Sequence, residues 1–458
     1  MRVTYLFVTL FLVMIGYLVY FNVVKSKDII NSPYNVRQDL MAGRVVRGKI
    51  LDSTGNVLAK TVVNEDGSES RVYPYGETYA HVIGYTDKGK AGLELAQNFN
   101  MLTSNAFFLE KIVKEMQDEK NIGDNIVTTL NTELQQVAED ALGNNKGAVV
   151  VMEPSTGKIL AMVSKPGFDP NKVAQNWDQL NSSSDSVLYN RATMGQYAPG
   201  STFKIVSALE YLRENEDPDS FTHDCQGEIS ADGTTIHCFN NAVHGQETLK
   251  DAMANSCNTA FSSIGLSLDK AKWKSTADKL LFNSKLPSPL PYKSSKFALE
   301  KNSDSGKTMM TAIGQGDTLV SPYHMALITS AIANGGILMK PYLVDEITNY
   351  TGQSVKKYMP EKYGELMTSQ EAAKLSEYMQ AVVEYGTGKS LSGESYSVAG
   401  KTGTAEVSMD KKMVHSWFVG YSNVENPDIA VSVIVENADT DRITGKGVAK
   451  KIFNAYYY

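Results

Sequence analysis

From Val3 to Val24 the chain carries no charge and is rich in Leu, Val, Phe and Tyr. Those 22 residues would form a helix about 33 Å long, enough to cross a bilayer. A cleaved signal peptide would have a shorter apolar core followed by a small-x-small site. No alanine appears before Ala42, so the segment, 1–24, reads as an uncleaved anchor. Arg2 and the terminal amine favour a cytoplasmic short end, although Lys25 and Lys27 dilute that bias, and the rest of the chain would then lie outside the membrane.

Beyond the anchor, Ser26 to Gln38 is polar, a linker or a rising strand. Val46, Ile50-Leu51 and Val57-Leu58-Ala59 alternate around the turn residues Asp52 to Asn56, which predicts two short strands. Ile126 to Leu130 predicts another strand, and Leu134, Val137, Ala138, Ala141 and Leu142 mark one face of a helix. This stretch, 25–143, offers no chemistry and reads as a structural pedestal. A buried hairpin follows at Gly147–Met152 and Lys158–Val163, around the turn Pro154-Ser155-Thr156-Gly157. It opens a second domain, 144–458. Phe203, Ile205, Val206, Leu209 and Leu212 then define an amphipathic helix, and Phe221 to Gly245 reads as irregular. Helices are predicted over Leu249–Ile264, Ala271–Leu281, Tyr323–Asn334 and Gln370–Val383, with a long loop over Ser284–Ser305. Strands follow at Val398–Val407, Ser416–Tyr421 and Ile429–Val435, and a last helix at Val448–Tyr456. Two opening strands, a helical middle and three closing strands predict an α+β domain: one antiparallel sheet with helices packed on it.

Composition changes this picture little. Hydrophobic content of 42% and charged content of 21% over 458 residues suit a globular protein of two or three domains. The net charge is −7 and no basic block stands out, which argues against nucleic-acid binding. Cys225 and Cys238 could form a disulfide outside the cell, or Cys225, Cys238 and Cys257 could all be free thiols. The six histidines show no metal-ligand spacing; His237 beside Cys238 is read as coincidence, and neither metal nor cofactor is expected.

The chemistry begins at Tyr197-Ala198-Pro199-Gly200-Ser201-Thr202-Phe203-Lys204, a helix start. Ser201 and Lys204, three apart, share a helix face. A serine hydroxyl needs a base beside it, and an amine can be that base once burial or a second cation makes it neutral. A second motif, Ser256-Cys257-Asn258, supplies a hydroxyl and an amide that could relay a proton and hold a substrate amide. A third, Lys401-Thr402-Gly403-Thr404, supplies a cation that disfavours protonation of Lys204, a hydroxyl for a carboxylate, and a glycine that lets a ligand approach the backbone. Each motif alone occurs by chance; the three in this order, the first opening a helix and the last on a strand, are specific.

This set resembles the penicillin-binding protein and serine β-lactamase superfamily. Asn190-Arg191-Ala192, Thr259-Ala260-Phe261, Gly314-Gln315-Gly316, Ser321-Pro322 and Ala405-Glu406 extend the resemblance, and Arg47 to Asp52 is similar to the start of a class B pedestal. It covers nearly the whole chain and comes nearest to class B enzymes of the penicillin-binding protein A type. It implies a five-stranded antiparallel sheet between helices, behind an elongated β-rich pedestal without a preceding glycosyltransferase domain. It implies that Ser201 attacks the D-Ala-D-Ala carbonyl of a peptidoglycan stem peptide and Lys204 takes its proton. Ser256 and Asn258 would relay a proton and hold the substrate amide, and Lys401 and Thr402 would bind the carboxylate. The backbone N–H groups of Ser201 and Thr404 would form the oxyanion hole beside Gly403. β-Lactams would acylate the same serine, and a polytopic glycosyltransferase would be the membrane partner. Cys257 stands where many β-lactamases have Asp and is expected to pack. A carboxypeptidase or β-lactamase would need a base for deacylation, which no motif supplies. A sensor without turnover would not need all three motifs.

Overall fold

The computed structural model describes residues 2–21, 41–406 and 413–458. The predicted linker Ser26–Gln38, the end of the predicted anchor at 22–24 and Val407 lie outside the described residues. Helix α1 (Arg2–Tyr20) buries none of its side chains and is long and apolar enough to span a membrane.

In the region predicted as a pedestal, a two-residue strand at Val45–Val46 is followed by β1 (Ile50–Leu51), β2 (Val57–Val63) and β3 (Glu69–Val72). Asp52 shapes the β1–β2 turn: its Oδ1 accepts from the backbone N–H groups of Thr54 and Asn56 at 2.9 and 2.8 Å. An amphipathic helix, α2 (Phe108–Met116), and a strand, β4 (Asn125–Thr128), follow. Buried Glu94 accepts from Arg47 Nε at 2.6 Å and Arg71 Nε at 2.7 Å, tying the first strands to the helical turns behind them.

Helix α3 (Thr132–Leu142) starts at Asn131, whose side chain caps Leu134 N–H, and leads into the hairpin β5 (Gly147–Met152) and β6 (Ile159–Lys165). A 3-10 turn at Gly200–Phe203 runs into α4 (Lys204–Glu214). The stretch predicted as irregular forms β7 (Thr222–Cys225), β8 (Glu228–Ala231), β9 (Thr234–His237) and β10 (Gly245–Thr248), paired β7 with β10 and β8 with β9. These strands are short and mostly half-exposed, so apolar alternation is faint in them.

The single helix predicted over Leu249–Ile264 is two, α5 (Leu249–Ala254) and α6 (Asn258–Ser267), broken at 255–257. Helix α7 (Pro322–Ala333) is buried except at Ala333. Next come β11 (Val344–Thr348) and β12 (Ser354–Lys357), which join the pedestal: the six-stranded sheet has the order β12-β11-β4-β1-β2-β3, with Ile347 opposite Ile126. This sheet therefore takes two of its six strands from within the stretch 144–458, predicted above as the second domain. Helix α8 (Ser369–Glu384) carries a Thr368/Glu371 capping box, and the chain closes with β13 (Val398–Glu406), β14 (Val414–Ser422), β15 (Ala430–Val435) and α9 (Gly445–Tyr457).

The five central strands run β13-β14-β15-β5-β6, all antiparallel. Both faces are covered, which is why the strands read as continuous apolar runs. Val149, Val151, Val431 and Val433 pack with Leu134, Leu142, Ile452 and Phe453 of α3 and α9. Ala148, Val150, Met152 and Ile434 face the opposite way, into the larger core that holds α7. Each such valine contributes about 1.5–3 kcal/mol by burial. The result is a rigid sheet whose edge strand β13 lies beside the turn at Gly200–Phe203.

Candidate active site

Gly200 and Gly403 explain how that turn and that strand meet. Gly200 has φ +54°, and its N–H donates to the Gly314 carbonyl at 2.8 Å. A Cβ there would lie 2.5 Å from the Thr404 carbonyl oxygen, and one on Gly403 would lie 2.9 Å from Thr202 Cγ2. Only glycines permit this approach. Trp417 of β14 fastens the turn by donating from Nε1 to the Ala198 carbonyl at 3.1 Å. Just upstream, Tyr197 Oη donates to Glu436 at 2.6 Å, and Arg191 Nε donates to the same carboxylate oxygen at 2.8 Å. Ser201 lies within the 3-10 turn, partly exposed; it is not the first α-helical residue.

One turn on, Lys204 is wholly buried. Its Nζ donates to the Ser256 carbonyl at 2.6 Å, to Ser256 Oγ at 3.1 Å and to Asn258 Oδ1 at 2.8 Å. The break between α5 and α6 makes this convergence. Ser256 adopts the left-handed conformation, φ +57°, and Cys257 caps α6 by accepting from Ala260 N–H. Asn258 Nδ2 donates to the His237 carbonyl at 2.9 Å, which turns its amide oxygen toward Lys204.

Lys401 is the second buried amine; its Nζ donates to the Thr402 carbonyl at 3.0 Å. Thr402 shares a 2.6 Å hydrogen bond with Thr387, a residue no motif flagged. Burial lowers Lys204 to about 8, against the opposing charges of Cys257, Cys238 and Glu247. Burial, and then the Lys204 charge, hold Lys401 well below the ordinary lysine range. The sequence-based expectation that Lys401 would disfavour protonation of Lys204 is not what acts here: desolvation depresses Lys204, and the charge effect between the amines falls on Lys401.

The Ser201 turn, the α5–α6 break and strand β13 thus bring a serine, a buried amine of lowered pKa, a hydroxyl–amide pair and a second buried amine into one neighbourhood. Residues 147–458 match the penicillin binding protein transpeptidase domain, and residues 47–126 match the penicillin binding protein A dimerisation domain. The chain belongs to the penicillin-binding protein transpeptidase family. It is 33% identical over 427 residues to the peptidoglycan D,D-transpeptidase PbpA of Mycolicibacterium smegmatis, covering 88% of this chain and 86% of that one. The structure of penicillin-binding protein A from M. tuberculosis as a ceftriaxone acyl-enzyme superposes with a TM-score of 0.83 at 30% identity, covering 92% of this chain and 100% of that one. A D,D-transpeptidase domain from Eggerthella lenta gives 0.81 at 32%, covering 90% and 98%.

In this penicillin-binding protein, the three motifs predicted from spacing do come together: Lys204 touches both Ser256 and Asn258, and Gly403 and Thr404 abut the Ser201 turn. Motif reading missed the Glu436 bracket on Arg191 and Tyr197, although Asn190-Arg191-Ala192 was its visible half. Of the two states left open for Cys225 and Cys238, the structure shows no disulfide: they and Cys257 are free thiols.

Proposed function

We propose that this peptidoglycan D,D-transpeptidase forms its acyl-enzyme on Ser201, with the neutral Lys204 amine as base. Lys204 takes the hydroxyl proton as Ser201 Oγ attacks the penultimate D-Ala carbonyl. The backbone N–H groups of Ser201 and Thr404 hold the developing oxyanion, an interaction whose loss costs about 2.7–4 kcal/mol in enzymes of this logic. Ser256 passes the proton to the departing D-Ala amine, and Asn258 holds the substrate amide. Lys401 and Thr402 bind the terminal carboxylate, with Gly403 leaving room for the backbone of the ligand. An amine of a second stem peptide then attacks the ester, takes the acyl group and returns the proton to Ser201. A β-lactam enters at the same step and stays.

The single observation that carries this reading is the contact of Lys204 Nζ with both Ser256 Oγ and Asn258 Oδ1, at 3.1 and 2.8 Å, one helical turn from Ser201. The wider organisation is part of the same proposal. Residues 1–24 anchor the chain in the membrane with the catalytic domain, 144–458, outside the cytoplasm. Residues 25–143 form the pedestal, and a polytopic glycosyltransferase docks against anchor and pedestal to supply glycan strands. The apolar α1 and the match of 47–126 to a dimerisation domain support that organisation.

The test is acylation of the full-length protein in detergent by a fluorescent penicillin. Wild type should label and hold the label for hours, and Ser201→Ala and Lys204→Ala should not label while keeping the wild-type melting temperature within a few degrees. Labelling of Ser201→Ala would overturn the nucleophile. Loss of the label within seconds would instead favour a hydrolase.

A further inference from the structure

Behind the second motif, four soft donors point at one spot that the acyl-transfer chemistry does not use. Cys225 ends β7, Cys238 follows β9, His244 precedes β10, and Cys257 caps α6. Cys225 Sγ lies 3.7 Å from Cys238 Sγ and 3.3 Å from His244 Nδ1, and Cys238 Sγ lies 3.8 Å from Cys257 Sγ. All four donor atoms fall within 4.8 Å of one another. A zinc ion bound tetrahedrally at about 2.3 Å from sulfur and about 2.0 Å from nitrogen requires sulfur–sulfur edges of ~3.8 Å and sulfur–nitrogen edges of ~3.5 Å. The separations here are already close to those edges. Hydrogen bonding is a poor alternative explanation: a thiol is a weak donor and a weak acceptor, and three thiols gathered in a dry core exchange little energy.

Glu247 is buried beside this cluster, its Oε2 3.9 Å from His244 Nδ1.

We propose that Cys225, Cys238, His244 and Cys257 bind one structural zinc ion. Three thiolates and one imidazole make a closed, four-coordinate set of the kind that selects Zn2+ over the hard cations. Binding displaces three thiol protons to solvent, His244 coordinates as the neutral imidazole through Nδ1, and nothing is oxidised or reduced. The sequence reading overlooked the set because its ligands are spread over 33 residues and its histidine is His244, not the His237 adjacent to Cys238.

The position of the ion gives it a second consequence, which rests on the roles proposed above for Ser256 and Asn258. Cys257 lies between these two residues. Ser256 is in a left-handed conformation, φ +57°, which is strained for a non-glycine residue. His237, which holds Asn258, precedes the ligand Cys238. A metal bond to Cys257 would fix both neighbours relative to Lys204. The ion is therefore a positioning element and takes no part in the chemistry.

Full-length protein carrying no histidine tag should be purified in detergent under reducing conditions and its metals counted by mass spectrometry. About one zinc per chain is expected. After chelation, Co2+ alone should restore the intense visible bands of tetrahedral thiolate-bound cobalt. Cys238→Ser should lower the zinc content at least tenfold. His244→Gln, at a half-buried position and so milder, should release zinc to a chelator at least tenfold faster. Wild-type protein that holds no zinc and takes up no Co2+ would overturn the site. So would a Cys225–Cys238 disulfide in the non-reduced protein, or full zinc retention in both variants. Zinc-stripped protein should acylate with fluorescent penicillin at least tenfold more slowly, with Zn2+ but not Mg2+ restoring the rate. An unchanged rate would overturn the positioning role alone. Zinc-loaded wild type that never labels would count against the Ser201 reading, whereas its zinc content would still support the metal site.

Discussion

Raising the pH from 6 to 9 should accelerate acylation of Ser201 by about ninetyfold, and the shape of the rise tests the base directly. Lys204 is buried and its amine falls to about 8, desolvation being the main cause. Only the neutral amine can accept the serine proton. With a pKa near 8, the neutral fraction is ~1% at pH 6, ~9% at pH 7 and ~91% at pH 9. The second-order rate constant for a fluorescent penicillin, followed by stopped flow on the full-length protein, should rise tenfold per pH unit up to about pH 7.5 and flatten above pH 8.5. Stability should move with it. A lysine whose folded pKa lies below its unfolded value of 10.5 is protonated more readily in the unfolded chain between pH 8 and 10.5. Its burial therefore costs about 3 kcal/mol below pH 8, and that cost is relieved as pH climbs toward 10.5. A flat rate profile would show that Lys204 is not the titrating base. A rate still climbing tenfold per unit beyond pH 9 would show that the amine keeps the ordinary lysine value, and the desolvation argument would fail.

Gly403→Ala should slow acylation at least tenfold and destabilise the domain by about 1–3 kcal/mol, since the new Cβ would meet Thr202 Cγ2 at 2.9 Å and Trp417 Cβ at 3.0 Å; acylation kinetics and urea unfolding check both. In the pedestal, Glu94→Ala should cost about 3–5 kcal/mol by leaving Arg47 and Arg71 buried without their partner. Burial works against the Glu94 carboxylate, but the two arginines outweigh it and hold the group below its usual 4.5. Its stabilisation is therefore complete above pH 4.5 and lost progressively below it, so acid unfolding of wild type should be steeper there than that of Glu94→Ala. Glu436→Ala removes the shared acceptor of Arg191 and Tyr197 and should cost about 3 kcal/mol, with slower acylation because Tyr197 leads directly into the Ser201 turn.

Sequence alone determined those parts of this penicillin-binding protein whose cause is local. The apolar helix α1 follows from an uninterrupted apolar run, α8 from apolar periodicity behind the Thr368/Glu371 capping pair, and β5 and β15 from valine runs buried on both faces. Part of the candidate site was legible too: Ser201 and Lys204, the proposed nucleophile and base, stand one turn apart, a spacing that lies within a few residues of sequence. Tertiary structure decided everything that depends on distant segments meeting. Ser256 falls inside the single helix predicted over Leu249–Ile264, whereas the structure breaks the helix there, with Ser256 at positive φ against Lys204 and Cys257 capping the next helix. Strands β11 and β12 belong to the pedestal sheet although they lie more than 200 residues from β4, since no local pattern states which sheet edge a strand will join. The four donors around Cys257 converge in the same way, and so does the lowering of Lys204: a pKa depends on which charges and how much water surround a group, and both are set by residues far away along the chain.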